Sequence, residues 1–281
     1  MGTRYRGEQL TKGRTVAEVD PDELMTLALE AAGEAAELTA RGQRDVHVLG
    51  TKSTPTDVVT DMDRAAERLL RDRLLSARPD DSVLGEEEGD SRGGSGVRWI
   101  LDPIDGTVNY LYGRQDWAVS VAAEVEGQVV AGVVHAPIRG EVYRATVGGG
   151  AFRGTEPLRA RPAPPLQRAL LATGFGYAAH RRAHQAEVLR SVLPRVRDIR
   201  RAGASTLDVC GVAVGEIDGY YERGLNHWDW AASTLIAQEA GITVGGLRGR
   251  GPNEDLTIAA PGALFDDLCS VLEPLAADSD G

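Results

Sequence analysis

Apolar residues recur at helical spacing twice near the start of the chain. Leu24, Leu27, Ala28, Ala31, Ala35 and Leu38 form one stripe, preceded by Asp20 as an N-cap and Pro21 at the first helical position. A second stripe, Met62, Ala66, Leu69, Leu70 and Leu74, starts at Thr60-Asp61-Met62-Asp63, a capping box with Asp in its last place. Between them Lys52 to Val59 reads as a loop or short hairpin. The period then changes from helical to extended. Ser82-Val83-Leu84 is a short strand ending at Gly85-Glu86-Glu87-Glu88-Gly89, and Trp99-Ile100-Leu101 a strand beyond the polar, Gly-rich loop Asp90–Gly96. Ala118 to Val125 and Val129 to His135 pair about Glu126-Gly127-Gln128, and Glu141 to Thr146 adds a third strand. Gly148-Gly149-Gly150 breaks the pattern, and Arg161 to Pro165 reads as a connector.

The second half opens with a strand near Leu170–Ala172. Helices follow over about His180–Leu193, Ser205–Val214 and Trp228–Ala240, the last closed by Gly241. Ile217–Glu222, Ile242–Val244 and Leu256–Ala260 read as strands, and Phe265–Leu275 as a final helix. There is no internal repeat. Helices come in pairs and strands in groups, which predicts a layered α+β fold rather than a steady βαβ alternation. The expected organisation is a flexible tail over 1–19, an N-terminal α+β half over 20–160, a C-terminal α/β half over 161–275, and a second tail over 276–281.

Composition narrows the partners. The 281 residues are 42% hydrophobic and 26% charged, ordinary for a globular protein with ample core. A formal charge of −11 disfavours nucleic acid or an anionic membrane as the main partner. It leaves room for a phosphorylated substrate, because bound cations invert the local field. No apolar run reaches membrane-span length, and the N-terminus lacks the apolar segment of a secretory signal. Cys210 and Cys269 form no CxxC pair and read as reduced, buried thiols of a cytoplasmic protein.

The chemistry concentrates in Asp102-Pro103-Ile104-Asp105-Gly106-Thr107. An apolar strand runs into two carboxylates, with Pro103 stiffening the turn between them, and Gly106-Thr107 then opens a helix over Val108–Leu111. Carboxylates bind hard cations, and the N–H groups of a helix start bind anions. Asp63, Glu86 and Asp229 also fall at element ends, where functional residues gather. Mg²⁺ takes oxygen ligands, and two such ions held by shared carboxylates suit phosphoryl transfer. Glu86, Asp102 and Asp105 would form such a set, with the Ile104 carbonyl between them. Each motif alone has a plainer reading. The GEEEG run fits a solvated acidic turn, and Asp63 fits a helix cap.

Together these segments resemble the inositol monophosphatase family of Mg²⁺-dependent, lithium-sensitive phosphatases. Trp99 to Tyr110 is similar to the family's first signature. Tyr220-Tyr221-Glu222 followed by His227-Trp228-Asp229-Trp230-Ala231-Ala232 is similar to its second. Lys52 to Asp63 and Gly85-Glu86-Glu87 match two further segments, so the likeness spans about Leu24 to Leu272. The resemblance implies a layered α-β-α-β-α sandwich of the sugar-phosphatase type. It implies one Mg²⁺ on Glu86, Asp102 and the Ile104 carbonyl, and a second on Asp102, Asp105 and Asp229. A weaker third ion would lie near Glu86, and Mn²⁺ would substitute. Thr107, oriented by Asp63, would help Glu86 activate a water for in-line attack on phosphorus, without a phosphoenzyme. Gly106 and Thr107 N–H groups would hold the phosphate.

For the leaving group, the resemblance points to Asp105, Ala204, Ser205, Glu222 and Asp229, and places the Asn226-His227 loop against it. The plainer reading of Glu222 is a solvated strand-end residue. Lys52 reads as structural or as an electrostatic contributor, and Asp90–Gly96 as a mobile lid or a disordered surface turn. A small phosphorylated polyol, inositol 1-phosphate first, is the expected substrate, and a homodimer the expected assembly. Fructose 1,6-bisphosphate, histidinol phosphate, 3′-phosphoadenosine 5′-phosphate and NADP remain alternatives within the superfamily. A catalytically idle, metal-binding regulatory relative is the competing class, disfavoured by five intact carboxylates.

Overall fold

In the computed structural model residues 19–280 are described, so the tail expected over 1–19 lies outside the described residues except Val19. Helix α1 (Pro21–Gly42) starts where Asp20 accepts from the Asp22 N–H at 2.9 Å. Its buried stripe is mostly alanine, which lets the helix sit close on the sheet beneath it. Strands β1 (Val48–Thr51) and β2 (Val58–Thr60) form the hairpin that leads to α2 (Asp61–Ala77). The capping box is present: Thr60 Oγ1 accepts from the Asp63 N–H at 3.3 Å, and Asp63 accepts from the Thr60 N–H at 2.8 Å.

The first sheet is built from β3 (Ser82–Gly85), β4 (Gly89–Ser91), β5 (Val97–Asp105), β6 (Ala118–Val125), β7 (Gln128–Ala136), β8 (Glu141–Thr146), β9 (Gly150–Arg153) and β10 (Glu156–Pro157), with α3 (Thr107–Leu111) following β5. Its order is β10-β9-β8-β7-β6-β5-β3-β4, antiparallel except for the parallel pair β3/β5. The β6–β7 turn is Glu126-Gly127, both left-handed, as a two-residue hairpin of this twist requires.

The second sheet joins β11 (Leu170–Thr173), β12 (Asp198–Arg200), β13 (Gly219–Glu222), β14 (Thr243–Gly245) and β15 (Thr257–Ala260) in the order β12-β11-β13-β15-β14. Its helices are α4 (Ala179–Val192), α5 (Ser205–Val214), α6 (His227–Glu239) and α7 (Gly262–Leu272). Helices α1 and α2 cover one face of the first sheet. The apolar core between the sheets contains α5 and α6 together with Ile100, Ala122, Val134, Tyr220 and Ala259. Helices α4 and α7 pack on the outer face of the second sheet. The result is the five-layer α-β-α-β-α sandwich. Gly132 permits the tight middle layer, since a Cβ there would lie 2.9 Å from the Ala232 carbonyl.

Four differences from the sequence reading have physical causes. Strand β5 does not stop at Leu101 but runs to Asp105, with a bulge opposite β6 between Asp102 and Asp105. Pro103, which lacks an N–H, is tolerated there. Strands β4, β9, β10 and β12 are two to four residues long, too short to show a period. Residues 276–280 are no loose tail: Ala277 is buried, and Asp280 pairs with Arg181 at 2.8 Å and Arg223 at 2.9 Å. Cys210 is buried as expected, whereas Cys269 is half-buried, and both are free. No helix among the described residues is long and apolar enough to cross a membrane.

Candidate active site

The parallel pairing of β3 and β5 aligns Gly85 with Leu101, so Glu86, just past the end of β3, and Asp102, inside β5, stand at the same level. The Glu86 N–H donates to the Leu101 carbonyl at 3.3 Å, and the two carboxyl groups are within hydrogen-bonding reach. Asp105, three residues on, crosses to the other half of the chain. It accepts from the N–H groups of Ser205 (3.2 Å) and Thr206 (2.7 Å) and from the Thr206 hydroxyl. Asp105 is thus the cap of α5, supplied from 100 residues away. Asp229 stands in the first turn of α6 and accepts from the Asn226 N–H at 2.6 Å. Carboxylate oxygens of Asp102, Asp105 and Asp229 lie within 4.8 Å of one another.

Burial pushes all three carboxyls upward, and for Asp102 and Asp229 the neighbouring carboxylates add to the rise. Glu86 is likewise raised by burial, and opposed by Lys52, whose ammonium donates to it at 2.9 Å and also contacts Glu87. Lys52 is therefore part of the charge balance of the site, more than a structural residue. The donor set fits a hard divalent cation: clustered carboxylate oxygens, buried at Asp102 and Asp105 and half-buried at Asp229, mutually repelling, with nitrogen and sulfur ligands absent from the group.

Thr107 begins α3, and its hydroxyl lies 3.2 Å from Asp63 Oδ1 and 3.1 Å from the Ile104 carbonyl. Asp63 is fully buried, and burial raises it to about 6 against the pull of its Thr60 hydrogen bonds. Gly106 precedes with φ of 94°, and a Cβ there would crowd the Asp116 and Gly203 carbonyls and the Ala204 methyl.

These residues face a cleft of about 520 Å³ that also receives Ser205, Glu222 and Asn226. Glu222 ends β13, accepts from the Tyr220 hydroxyl at 2.7 Å, and is raised by burial to about 7. Three expected contacts fall elsewhere. Ala204 is 1% exposed and does not line the cleft; its methyl packs against Gly106 in the core. His227 turns away, 3.4 Å from Glu124 and stacked on Trp230 at 4.4 Å, because the first turn of α6 points Asp229 inward and His227 out. The Asp90–Gly96 loop lines no part of the cleft: Asp90 and Ser91 belong to β4, and the Gly94 and Ser95 N–H groups donate to the Asp80 carbonyl. Missed from sequence were Phe175, Tyr177, Arg181 and Glu254, all lining the cleft from loops or helix starts. The only local signal was the glycine-spaced turn Gly174-Phe175-Gly176 after β11.

The family model described as Inositol monophosphatase family matches residues 20–276. An inositol-1-monophosphatase of Mycobacterium leprae is 44% identical over 92% of this chain and 96% of its own length. A Nus factor SuhB of Pasteurella multocida is 34% identical over 91% of this chain and 97% of its own. The solved structure of Mycobacterium tuberculosis SuhB superposes with a TM-score of 0.79 at 41% identity, covering 92% of this chain and 99% of that one.

Proposed function

The chain belongs to the inositol monophosphatase family, a family of phosphatases, and from that premise we propose that it is a Mg²⁺-dependent phosphomonoesterase that converts inositol 1-phosphate to inositol and phosphate. The observation that carries this reading is the convergence of Asp102, Asp105 and Asp229 within 4.8 Å, beside the helix start at Gly106-Thr107. Glu86, Asp102 and the Ile104 carbonyl would hold one Mg²⁺, and Asp102, Asp105 and Asp229 a second. A third ion would bind near Glu86, and Mn²⁺ would substitute. Bound there, the cations supply Lewis-acid stabilisation of the phosphoryl, attacking and leaving oxygens.

The chain's own groups supply the rest. The N–H groups of Gly106 and Thr107 orient the phosphate. Thr107 Oγ1 accepts a proton from the attacking water as its own hydroxyl proton passes toward Asp63 Oδ1. Asp63, raised to about 6, is ionised and ready to receive it near neutral pH. Glu86 shares in orienting that water. The bond from phosphorus to the ester oxygen breaks as the new one forms, and the leaving alkoxide takes a proton from water in the cleft, which the proton held by Asp63 then restores. Glu222 accepts from ring hydroxyls, with Ser205 bordering the same space.

A substrate panel with Mg²⁺ tests the assignment: inositol 1-phosphate, fructose 1,6-bisphosphate, histidinol phosphate, 3′-phosphoadenosine 5′-phosphate and NADP. The first should give the highest kcat/KM, and a tenfold advantage for any other would overturn the substrate assignment. Lithium should inhibit, and sedimentation should report a homodimer. The relative named a Nus factor supports a second reading, in which the fold also serves a partner. A turnover-dead Asp102→Asn chain that still restores growth to a deletion strain would favour it.

A further inference from the structure

One wall of the cleft carries an arginine that the reaction described above leaves unused. Arg181, in the first turn of α4, is gripped from one side by Asp280: its Nε donates at 2.8 Å and its Nη2 at 3.4 Å to the two carboxylate oxygens. The same carboxylate accepts from Arg223 Nε at 2.9 Å, so it ties α4 to the residue that follows Glu222. Two arginines hold Asp280 well below the usual carboxylate range, so the clamp stays charged.

Both contacts use the Nε/Nη2 edge of Arg181. The Nη1 end lies over Gly224, where a Cβ would come within 2.5 Å of it, and the stem lies over Gly176, where a Cβ would come within 2.7 Å of Cδ. Glycine at both positions leaves a slot for the side chain at the edge of the cleft, which Arg181, Gly176, Gly224 and Glu222 line together. Glu222 is seated the same way, since a Cβ at Gly174 would collide with its carboxylate. Asp280 already engages one edge of Arg181, and the Glu222 carboxyl stands on the same wall of the cleft, so the uncommitted N–H groups of Nη1 suit a neutral acceptor better than a second anion. A donor and an acceptor on one wall match two hydroxyls of a polyol, one accepting from Arg181 and another donating to Glu222.

We propose that Arg181 is a specificity-determining residue that donates from Nη1 to a hydroxyl of the leaving polyol, and that Asp280 is the positioning residue that aims it. This rests on the phosphatase reading above. The test is steady-state kinetics with Mg²⁺ on inositol 1-phosphate and on phenyl phosphate, whose leaving group has no further hydroxyl. Arg181→Gln should raise KM for inositol 1-phosphate about tenfold, the loss of one charge-assisted hydrogen bond. Its kcat should stay within about twofold, and phenyl phosphate kinetics should not move. Asp280→Asn should show the same split in smaller degree, and Asp280→Glu should restore it. Equal losses on both esters, no loss on either, or a wild type without preference for the polyol ester overturns the Arg181 assignment. Wild-type KM in Asp280→Asn overturns the positioning role. Phosphate release from neither ester by the wild type overturns the phosphatase reading instead.

Discussion

Glu67 presents the clearest test of how the acidic turn at Glu86 is held. It is fully buried in α2 and accepts from the N–H groups of Glu87 (2.7 Å) and Glu88 (3.0 Å) and from Arg71 Nε (2.9 Å). Arg71 in turn donates to the Gly89 carbonyl at 2.5 Å and to Ser91 at 3.2 Å. Glu67→Ala strips the turn of its anchor and leaves the buried Arg71 with only the half-exposed Glu88 carboxylate, 3.8 Å away. Breaking a buried pair from one side costs about 3–5 kcal/mol, and the two N–H groups left without an acceptor overlap with that figure rather than doubling it. At about 2–4 °C per kcal/mol for a chain of this size, Tm in EDTA should fall by roughly 6–20 °C. Glu67→Gln keeps an acceptor but not the charge, and should lose roughly 1–2 kcal/mol. A second substitution isolates the contact. A Cβ at Gly85 would collide with the Glu67 carboxylate, so Gly85→Ala should destabilise the wild type but not the Glu67→Ala chain. Thermal and urea unfolding of the four-chain cycle reads this directly. If Glu67→Ala melts within about 2 °C of wild type, or the two substitutions add, the anchoring argument is wrong.

Three further outcomes are expected. Asp102→Asn should cut phosphate release at least about 10³-fold, several kcal/mol of transition-state stabilisation, yet melt no lower than wild type in EDTA, because it relieves repulsion from Glu86, Asp105 and Asp229; near-normal turnover would refute the shared-ligand role. Of the 31 lysines and arginines only Lys12 and Lys52 are lysine, and Lys52 puts its compact ammonium on Glu86 and Glu87; Lys52→Gln should lower Tm in EDTA and show a larger Mg²⁺-induced rise than wild type, and an unchanged melt in EDTA would refute it. Burial and the charges of Glu222 and Asp105 push Asp208 up to about 8, so the folded state binds more protons than the unfolded one from about pH 4 to pH 8, and stability is lost as pH rises through that window; Asp208→Asn should match wild type near or below pH 4 and out-melt it by roughly 10 °C or more at pH 9, whereas parallel pH profiles would contradict the shift.

What the sequence disclosed was whatever is decided within a turn or two of chain. Ala118–Val125, Glu141–Thr146 and Ser205–Val214 have the predicted bounds because period and flanking turns define them locally. The caps at Asp20 and Thr60 were legible for the same reason. The metal-type carboxylates were legible because they cluster at element ends and match a family pattern. The rest depends on partners far away in sequence. Nothing around Asp105 shows that it closes α5, nothing in α2 shows that Glu67 holds the acidic turn, and nothing near Arg181 points to Asp280. Ala204 and His227 have neighbours that line the cleft, yet each side chain points elsewhere. One residue along a helix start changes direction by about 100°, which a motif alone does not resolve.

The choice between helix cap and catalytic group, which divided the reading of Asp63, dissolves once the caps are placed in space. Asp63 closes the first turn of α2, Asp105 that of α5 and Asp229 that of α6, while Thr107 begins α3. Each carboxylate spends part of its hydrogen-bonding capacity on N–H groups that would otherwise lack partners. The positive ends of these helices meet at the acidic cluster and offset part of its charge. That offset, with Lys52, explains how such a set of carboxylates folds before any cation arrives. It also limits the wandering of each ligand, because moving Asp105 or Asp229 would uncap a helix. A cap substitution typically costs about 0.5–2 kcal/mol. Asp105→Ala should therefore be the less stable and Asp102→Ala the more stable of two equally inactive chains, since Asp102 caps no helix and its backbone partner is the Ile104 N–H of its own turn, at 3.1 Å. The reverse order of melting temperatures in EDTA would show that charge repulsion, rather than capping, dominates at Asp105.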